Sequence, residues 1–289
     1  MAGKTTHRYE PSRRHTDELE GDSPPVANKR QRRRALAAVL GFALLATLTS
    51  ARPASAQSNN LCQSSEFSRT YSTGFSNQQA LDGWNRYNGV GHAGNGIRSS
   101  SAVQVQHGKL VITATNQNGQ TVSGGVANRN LSQRYGCYRI RVRTDHDHSN
   151  VTSGVVMTWP TYQSKGSGGE NDFYETTHNW ARRNPFMSFI HRPGDFSSNS
   201  RDQHWIRHDA DANRYQIMTM VWTPDEMIIR REGPNASGNH TTNQFTIRDA
   251  NIPHVAHHPT IQLDARNGNR LAQSVRLEVD WMEVYSYKG

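Results

Sequence analysis

An antiparallel β-sandwich or barrel is the fold class that this sequence predicts, and three observations carry the prediction. Short strand-like runs recur along most of the chain. At 138–143 they alternate strictly, with Tyr138, Ile140 and Val142 apolar and Arg139, Arg141 and Arg143 charged. That period of two marks a sheet with one buried and one wet face. Gly, Asn, Pro and Asp cluster between the runs, and no stretch sustains a helical period; many short strands so spaced make a sandwich or a barrel.

The elements follow in order. Residues 57–100 are rich in Ser, Asn, Gln and Gly, with isolated Phe67, Tyr71, Phe75, Trp84 and Tyr87. They read as irregular chain with short edge strands at most. Strands are expected at 110–115, 138–143, 154–159, 170–175, 186–190, 215–222, 227–231, 260–264 and 275–287. Gly89, Gly91, Gly94 and Gly96 lead from no strand into a helix, so they form a mobile loop and not a phosphate cradle. No repeat or low-complexity linker interrupts residues 57–289, which read as a single domain.

Residues 1–56 read as an export leader. Arg30, Arg32, Arg33 and Arg34 precede an apolar run over 35–48, and Ala54-Ser55-Ala56 closes it. That order is a secretory signal peptide. The Arg32-Arg33 pair also permits twin-arginine export. The apolar run has 14 residues, short of the roughly 20 that span a bilayer. A secreted, extracellular, monomeric protein with no stable membrane anchor after cleavage is expected. Lys and Arg outnumber Asp and Glu by 10 to 5 in the leader and by 23 to 19 in the rest. Most of the basic excess therefore leaves with the leader, and a nucleic-acid partner is not implied. Cys62 and Cys137, the two cysteines, both lie in the exported part, where a disulfide between them is expected.

The chemistry concentrates in Gly168-Gly169-Glu170-Asn171-Asp172-Phe173-Tyr174-Glu175. Alternation puts Glu170 and Asp172 on one face of a strand, and a one-residue bulge would return Glu175 to it. The two glutamates would then lie about four strand steps apart, roughly 13 Å between Cα atoms. Inward-leaning side chains leave about 5 Å between carboxyl groups, the spacing of a retaining glycosidase. Asp172 between them disfavours simultaneous ionisation and helps one glutamate to stay protonated. On spacing alone, a solvated acidic edge or a calcium site stays open.

Glu170-x-Asp172-x-x-Glu175 resembles the signature of glycoside hydrolase family 16, in its bulged laminarinase and agarase form. Further matches come in the family's order: 135–142, 154–160, 187–191, Val221-Trp222-Thr223-Pro224-Asp225 and the closing strand at 279–285. The resemblance covers residues 66–287. It implies a concanavalin-like β-jelly-roll of two antiparallel sheets and an endo-hydrolase of a β-linked polysaccharide, β-1,3-glucan first. An agar- or carrageenan-type galactan, or lectin-like binding without hydrolysis, is the alternative. Glu170 takes the role of nucleophile, Asp172 of its assistant and Glu175 of acid/base. No cofactor is implied for catalysis. A structural calcium ion, held partly by Asp280 in the closing strand, is implied as in many relatives. Trp159 and Trp180 flank the acidic strand and are expected to stack on sugar rings, with His191 beside the acid/base carboxylate. Trp84 and Trp205 are weaker stacking candidates, while Trp222 and Trp281 are assigned to the core. Asp145-His146-Asp147-His148 reads as a solvated turn, since consecutive residues seldom converge on one ion. Asn171 departs from the family's apolar residue and, if buried, needs hydrogen-bond partners.

Overall fold

The computed structural model describes residues 60–161, 169–176, 182–191, 203–248 and 252–289. The amino-terminal part supplies β1 (Phe67–Thr73), β2 (Asn85–Arg86), β3 (Gly89–Val90), β4 (Ile97–Arg98), β5 (Val103–Gln106), β6 (Lys109–Gln117) and β7 (Gln120–Ala127). Then come β8 (Gly136–Thr144), β9 (Thr152–Pro160), β10 (Asn171–Glu175), β11 (Phe186–His191) and β12 (Gln203–His208). The last are β13 (Gln216–Trp222), β14 (Met227–Pro234), β15 (His240–Ile247), β16 (His257–Ala265) and β17 (Val275–Tyr287).

These strands build a jelly-roll sandwich of two antiparallel sheets. The first runs β2-β7-β16-β9-β10-β11-β12. The second is centred on β17, with β8, β13, β14 and β15 following on one side. Strands β1 and β6 share the other edge of β17, and β5 pairs outside β6. A short parallel pairing of β4 with β7 is the exception.

The core lies between the sheets and is built by alternation. Val156, Phe173, Ile190 and Ile261 from the first sheet meet Ile140, Val142, Met218 and Val279 from the second. The arginines of β8 point away from it, as the alternation predicts. Arg143 grips Glu278, Arg141 pairs with Asp280, and Arg139 lies between Glu232 and Glu283. Trp281 corrects the expectation of a core tryptophan. A register shift between Val279 and Trp281 turns the indole to this outer face, half-buried under Arg139 at 5.0 Å.

Cys62 and Cys137 are bonded, as expected. The bridge pins the short helical turn Leu61–Gln63 to the start of β8, where both cysteines are fully buried with Phe67 and Tyr285. It lies on the outer face of the second sheet, where β8 runs between β17 and β13, and not on the sheet that carries the acidic strand.

Candidate active site

Strand β10 lies inside the first sheet, between β9 and β11, and its sequence forces an irregularity. Register slips against β9 between Asp172 and Tyr174, and against β11 between Asp172 and Glu175. The expected bulge is there. Phe173 and Tyr174 both enter the core, Phe173 beside Tyr138 and Tyr174 beside Phe186. Tyr174 Oη lies 2.9 Å from Thr144 Oγ1, which satisfies its hydroxyl. Two consecutive core residues leave Glu170, Asp172 and Glu175 together on the opposite face.

Register then lays out that face across the strands. Asp172 is opposite Phe189 of β11 and Met157 of β9; Trp205 of β12 and Thr260 of β16 extend the row. Glu175 is opposite Met187 and Val155, with Gln262 beyond. On the inner face, Asn171 meets its expected requirement only in part. Its Nδ2 donates to Thr158 Oγ1 at 3.0 Å, while its buried Oδ1 has no partner among the described residues.

The carboxyl groups are crowded and dry. Asp172 is 2% exposed and Glu175 6% exposed. Burial, reinforced by the charge of Asp172, pushes the Glu170 carboxyl well above the ordinary range. Burial, reinforced by Glu175, does the same to Asp172. Each resists ionisation beside the others, so the cluster retains protons where free carboxylates would not. His191 and Asp172 are joined, Nε2 to Oδ2, at 3.1 Å, and the His191 N–H donates to the Glu170 carbonyl at 2.8 Å. His191 was expected near the acid/base. Its place at the end of β11, level with Glu170, puts it on Asp172 instead.

The folded protein binds these protons more tightly than the unfolded chain does. Stability from the raised groups is therefore full at low pH and is lost as pH rises through their folded values. Asp172→Asn removes one such group and can still accept from His191. Its Tm should exceed that of the parent by several degrees at pH 7, with the gap closing towards pH 4. About 1.4 kcal/mol attends each displaced pKa unit, worth roughly 3–6 °C in a domain of this size. Thermal melts from pH 4 to 8 check this, and a gap that fails to widen with pH overturns it.

An unexpected residue secures the strand end. Arg183 is fully buried, and burial lowers its guanidinium to about 10. It donates to the carbonyls of Asp145, Thr152 and Thr176 and to the hydroxyls of Thr152 and Thr176. Thr176 follows Glu175 directly, so these bonds fix the backbone from which Glu175 projects. One arginine of the pair Arg182-Arg183 carries no sequence signal for such a role. The Asp145–His148 segment is a turn, as expected. Asp147 is buried and accepts from the backbone of Ser149, Val151 and Thr152.

The other candidates separate. Trp159, partly buried, precedes the end of β9 on the carboxylate face, opposite His258. Trp180 lies outside the described residues. Trp84 is buried and donates to Tyr71 Oη at 3.0 Å, a core role. Trp205 is 53% exposed and packs edge-on to Phe189 at 5.2 Å, which makes it a stronger platform than its sequence context suggested. Arg98, Asp264 and Tyr87 were not anticipated: Arg98 grips both carboxylate oxygens of buried Asp264 and covers the Tyr87 ring at 5.2 Å. Gly125 makes room for Tyr87, since a Cβ there would lie 2.7 Å from the ring.

Asp280 does not fit calcium. Its carboxylate is taken by Arg141, whose guanidinium lies 4.1 Å from the Tyr215 ring. A calcium ion needs six to eight oxygens, and no cluster of three acidic or histidine side chains among the described residues includes Asp280. Glu170, Asp172 and His191 do converge, with ligand atoms within 4.8 Å of one another. That set has the composition to hold a divalent cation.

No protein-family model and no curated protein matches the chain. Solved structures do. The catalytic domain of an endo-1,3-β-glucanase (laminarinase) from Thermotoga petrophila RKU-1 aligns with TM-score 0.60 at 15% identity, over 78% of this chain and 99% of that one. The Bacillus licheniformis β-glucanase gives 0.59 at 14%, over 78% and 100%. A glycoside hydrolase family 16 endo-glucanase from Bacteroides ovatus gives 0.56 at 12%, over 74% and 99%. Likeness at such identities shows the fold, a β-jelly-roll shared along nearly the whole length of these glucanases.

Proposed function

We propose that the chain is a secreted retaining endo-glycoside hydrolase acting on a β-linked polysaccharide, with β-1,3-glucan the first substrate. The observation that carries the reading is the bulge of β10, which gathers Glu170, Asp172 and Glu175 on the face away from the core. A binding protein has no need of three mutually repelling carboxyl groups, two of them buried. A two-step displacement uses all three.

In the first step, ionised Glu170 attacks the anomeric carbon while Glu175 gives its proton to the departing glycosidic oxygen. The carbon–oxygen bond breaks and a glycosyl ester forms on Glu170. In the second, Glu175 takes a proton from water, the water oxygen bonds to the anomeric carbon, and Glu170 leaves as carboxylate. Asp172 supports the anion of Glu170 by holding the proton that the pair shares, and His191 orients Asp172. Trp159 on one side and Trp205 with Phe189 on the other offer flat apolar faces to pyranose rings. No cofactor enters either step. The likeness to glucanase structures supports glucan over galactan, and the basic block with its apolar run in the leader supports export.

The experiment is a reducing-end assay on laminarin, lichenan, agarose and carrageenan, with proton NMR of the first anomer released. Cleavage with β-anomer appearing first is the expected result. An α-anomer first, or binding without cleavage of any of the four, contradicts the reading.

A further inference from the structure

Glu175 is the last residue of β10, so past it the strand ladder no longer holds the chain. Thr176 holds it instead, and its side chain is fully buried. Its N–H donates to the Gly154 carbonyl at 3.0 Å. Its Oγ1 accepts from the Gly154 N–H and from Arg183 Nη1, each at 2.8 Å. Arg183 reaches Thr176 from the segment before β11. It directs its remaining bonds to the turn between β8 and β9, at the carbonyls of Asp145 and Thr152 and at the Thr152 hydroxyl.

The Thr152 hydroxyl is the joint of this arrangement. It accepts from Arg183 Nη2 and donates to Asp147 Oδ2, both at 2.8 Å. Asp147 in turn accepts from the N–H groups of Ser149, Val151 and Thr152, which fixes the turn. Arg183, Thr152 and Asp147 are all fully buried. Burial lowers the guanidinium to about 10, with the charge of Asp147 the largest influence against it, so Arg183 is cationic at neutral pH. One cation and one anion are thus joined through a hydroxyl in the dry interior. The same turn seats the group that faces the acid/base. Val151 accepts the Arg266 N–H at 2.7 Å, and the Arg266 guanidinium pairs with Glu175 at 3.8 Å.

A staple between a turn and a sheet has no need of ions. Apolar side chains of similar volume serve as well, without the cost of desolvating two charges. A guanidinium fork adds orientation, because its bonds have fixed directions. Orientation counts most where a carboxyl group must meet a leaving oxygen within hydrogen-bond distance. We infer that Arg183, Thr152 and Asp147 form a positioning unit for the general acid, aiming Glu175 at the leaving oxygen through Thr176. This rests on the hydrolase reading and adds to it three residues that touch no substrate. They act through the backbone on either side of the site: Thr176 next to Glu175, and Val151 beneath Arg266.

The test is a ratio of two rates on the full secreted chain. One is kcat/KM on whichever of laminarin, lichenan, agarose and carrageenan the parent cuts. The other is kcat/KM on a dinitrophenyl β-glycoside of an oligosaccharide from that polymer. Both report the steps up to the glycosyl ester, but only the leaving oxygen of the polysaccharide needs the proton of Glu175. Thr152→Val keeps the shape of the side chain and removes the hydroxyl that joins the two charges. It should lower the ratio of polysaccharide to aryl glycoside at least about tenfold, since a 1 Å misplacement costs about 10²-fold. Thr152→Ser should restore the ratio to within a few-fold of the parent. A merely structural part would loosen the whole cleft and lower both rates alike. An unchanged ratio therefore overturns the inference and leaves the hydrolase reading standing. If Thr152→Val does not fold, Arg183→Lys, which keeps the charge and loses the fork, is judged by the same ratio. Failure of both variants to fold makes the unit a folding determinant and overturns the inference as well. If the parent cuts none of the four polysaccharides, the hydrolase reading falls and this inference falls with it.

Discussion

Glu170→Ala is expected to lower kcat on the polysaccharide by at least about 10⁴-fold, the scale on which enzymes lose rate when a nucleophile is removed. The loss should not come from unfolding. Glu170 lies on the face away from the core, while its neighbour Asn171 makes the inward contact with Thr158. Removing one of three crowded carboxyl groups also relieves repulsion within a dry cluster, so the variant should melt no lower than the parent. Azide supplies the decisive observation. It is small enough to occupy the space vacated by the glutamate side chain and reaches the anomeric carbon from the same side. Glu175 remains to protonate the leaving oxygen, so one displacement occurs and the product is an α-glycosyl azide, inverted relative to the substrate. A β-azide, or activity near that of the parent without azide, contradicts the assignment of Glu170 as nucleophile.

Much of this site was legible before any coordinates. The charged alternation at 138–143 identified the outer face of β8, because an arginine on every second residue leaves no other arrangement of the sheet. The acidic strand announced its own bulge. Three carboxylates share a face only if an extra residue is inserted, and the core takes Phe173 and Tyr174 together. Other elements escaped for identifiable reasons. β1 has Phe67 and Tyr71 an even four residues apart, yet a register shift between Arg69 and Tyr71 sends them to different clusters, so no alternation marks the strand. β7 is interrupted by Gly124 and Gly125, which read as turn residues. They are glycines because Val103 and Tyr87 approach to within 3.0 and 2.7 Å of where a Cβ would stand. β15 is an edge strand with mostly exposed, polar side chains, so no alternation marks it. The positions of Arg183, Arg98 and Arg266 depend on contacts between distant segments, and nothing local distinguishes them from surface arginines. Trp281 failed for the same reason as β1: a bulge reversed its face.

The second glutamate should behave differently, and the difference separates its role from that of Glu170. Glu175→Ala removes both the proton donor of the first step and the base of the second. On the polysaccharide, whose leaving oxygen needs that proton, kcat should fall by about 10²–10⁴-fold, the usual worth of general acid–base catalysis. On a dinitrophenyl glycoside of the cognate sugar the leaving group needs no proton, so Glu170 still attacks and a burst of dinitrophenol should precede slow turnover. The glycosyl ester then accumulates, because water at neutral pH attacks slowly when no base draws off its proton. Azide needs no such base. Two successive displacements at one carbon restore the original configuration, so the product here is a β-glycosyl azide. The variant also leaves Arg266 without the carboxylate that faces it at 3.8 Å, which favours entry of an anion on that side and should sharpen the response to azide. Rates on the polysaccharide within a few-fold of the parent, or an α-azide from this variant, would remove Glu175 from the acid/base role. That outcome would return the end of β10, and the Arg183 hydrogen bonds that secure it, to a purely structural part.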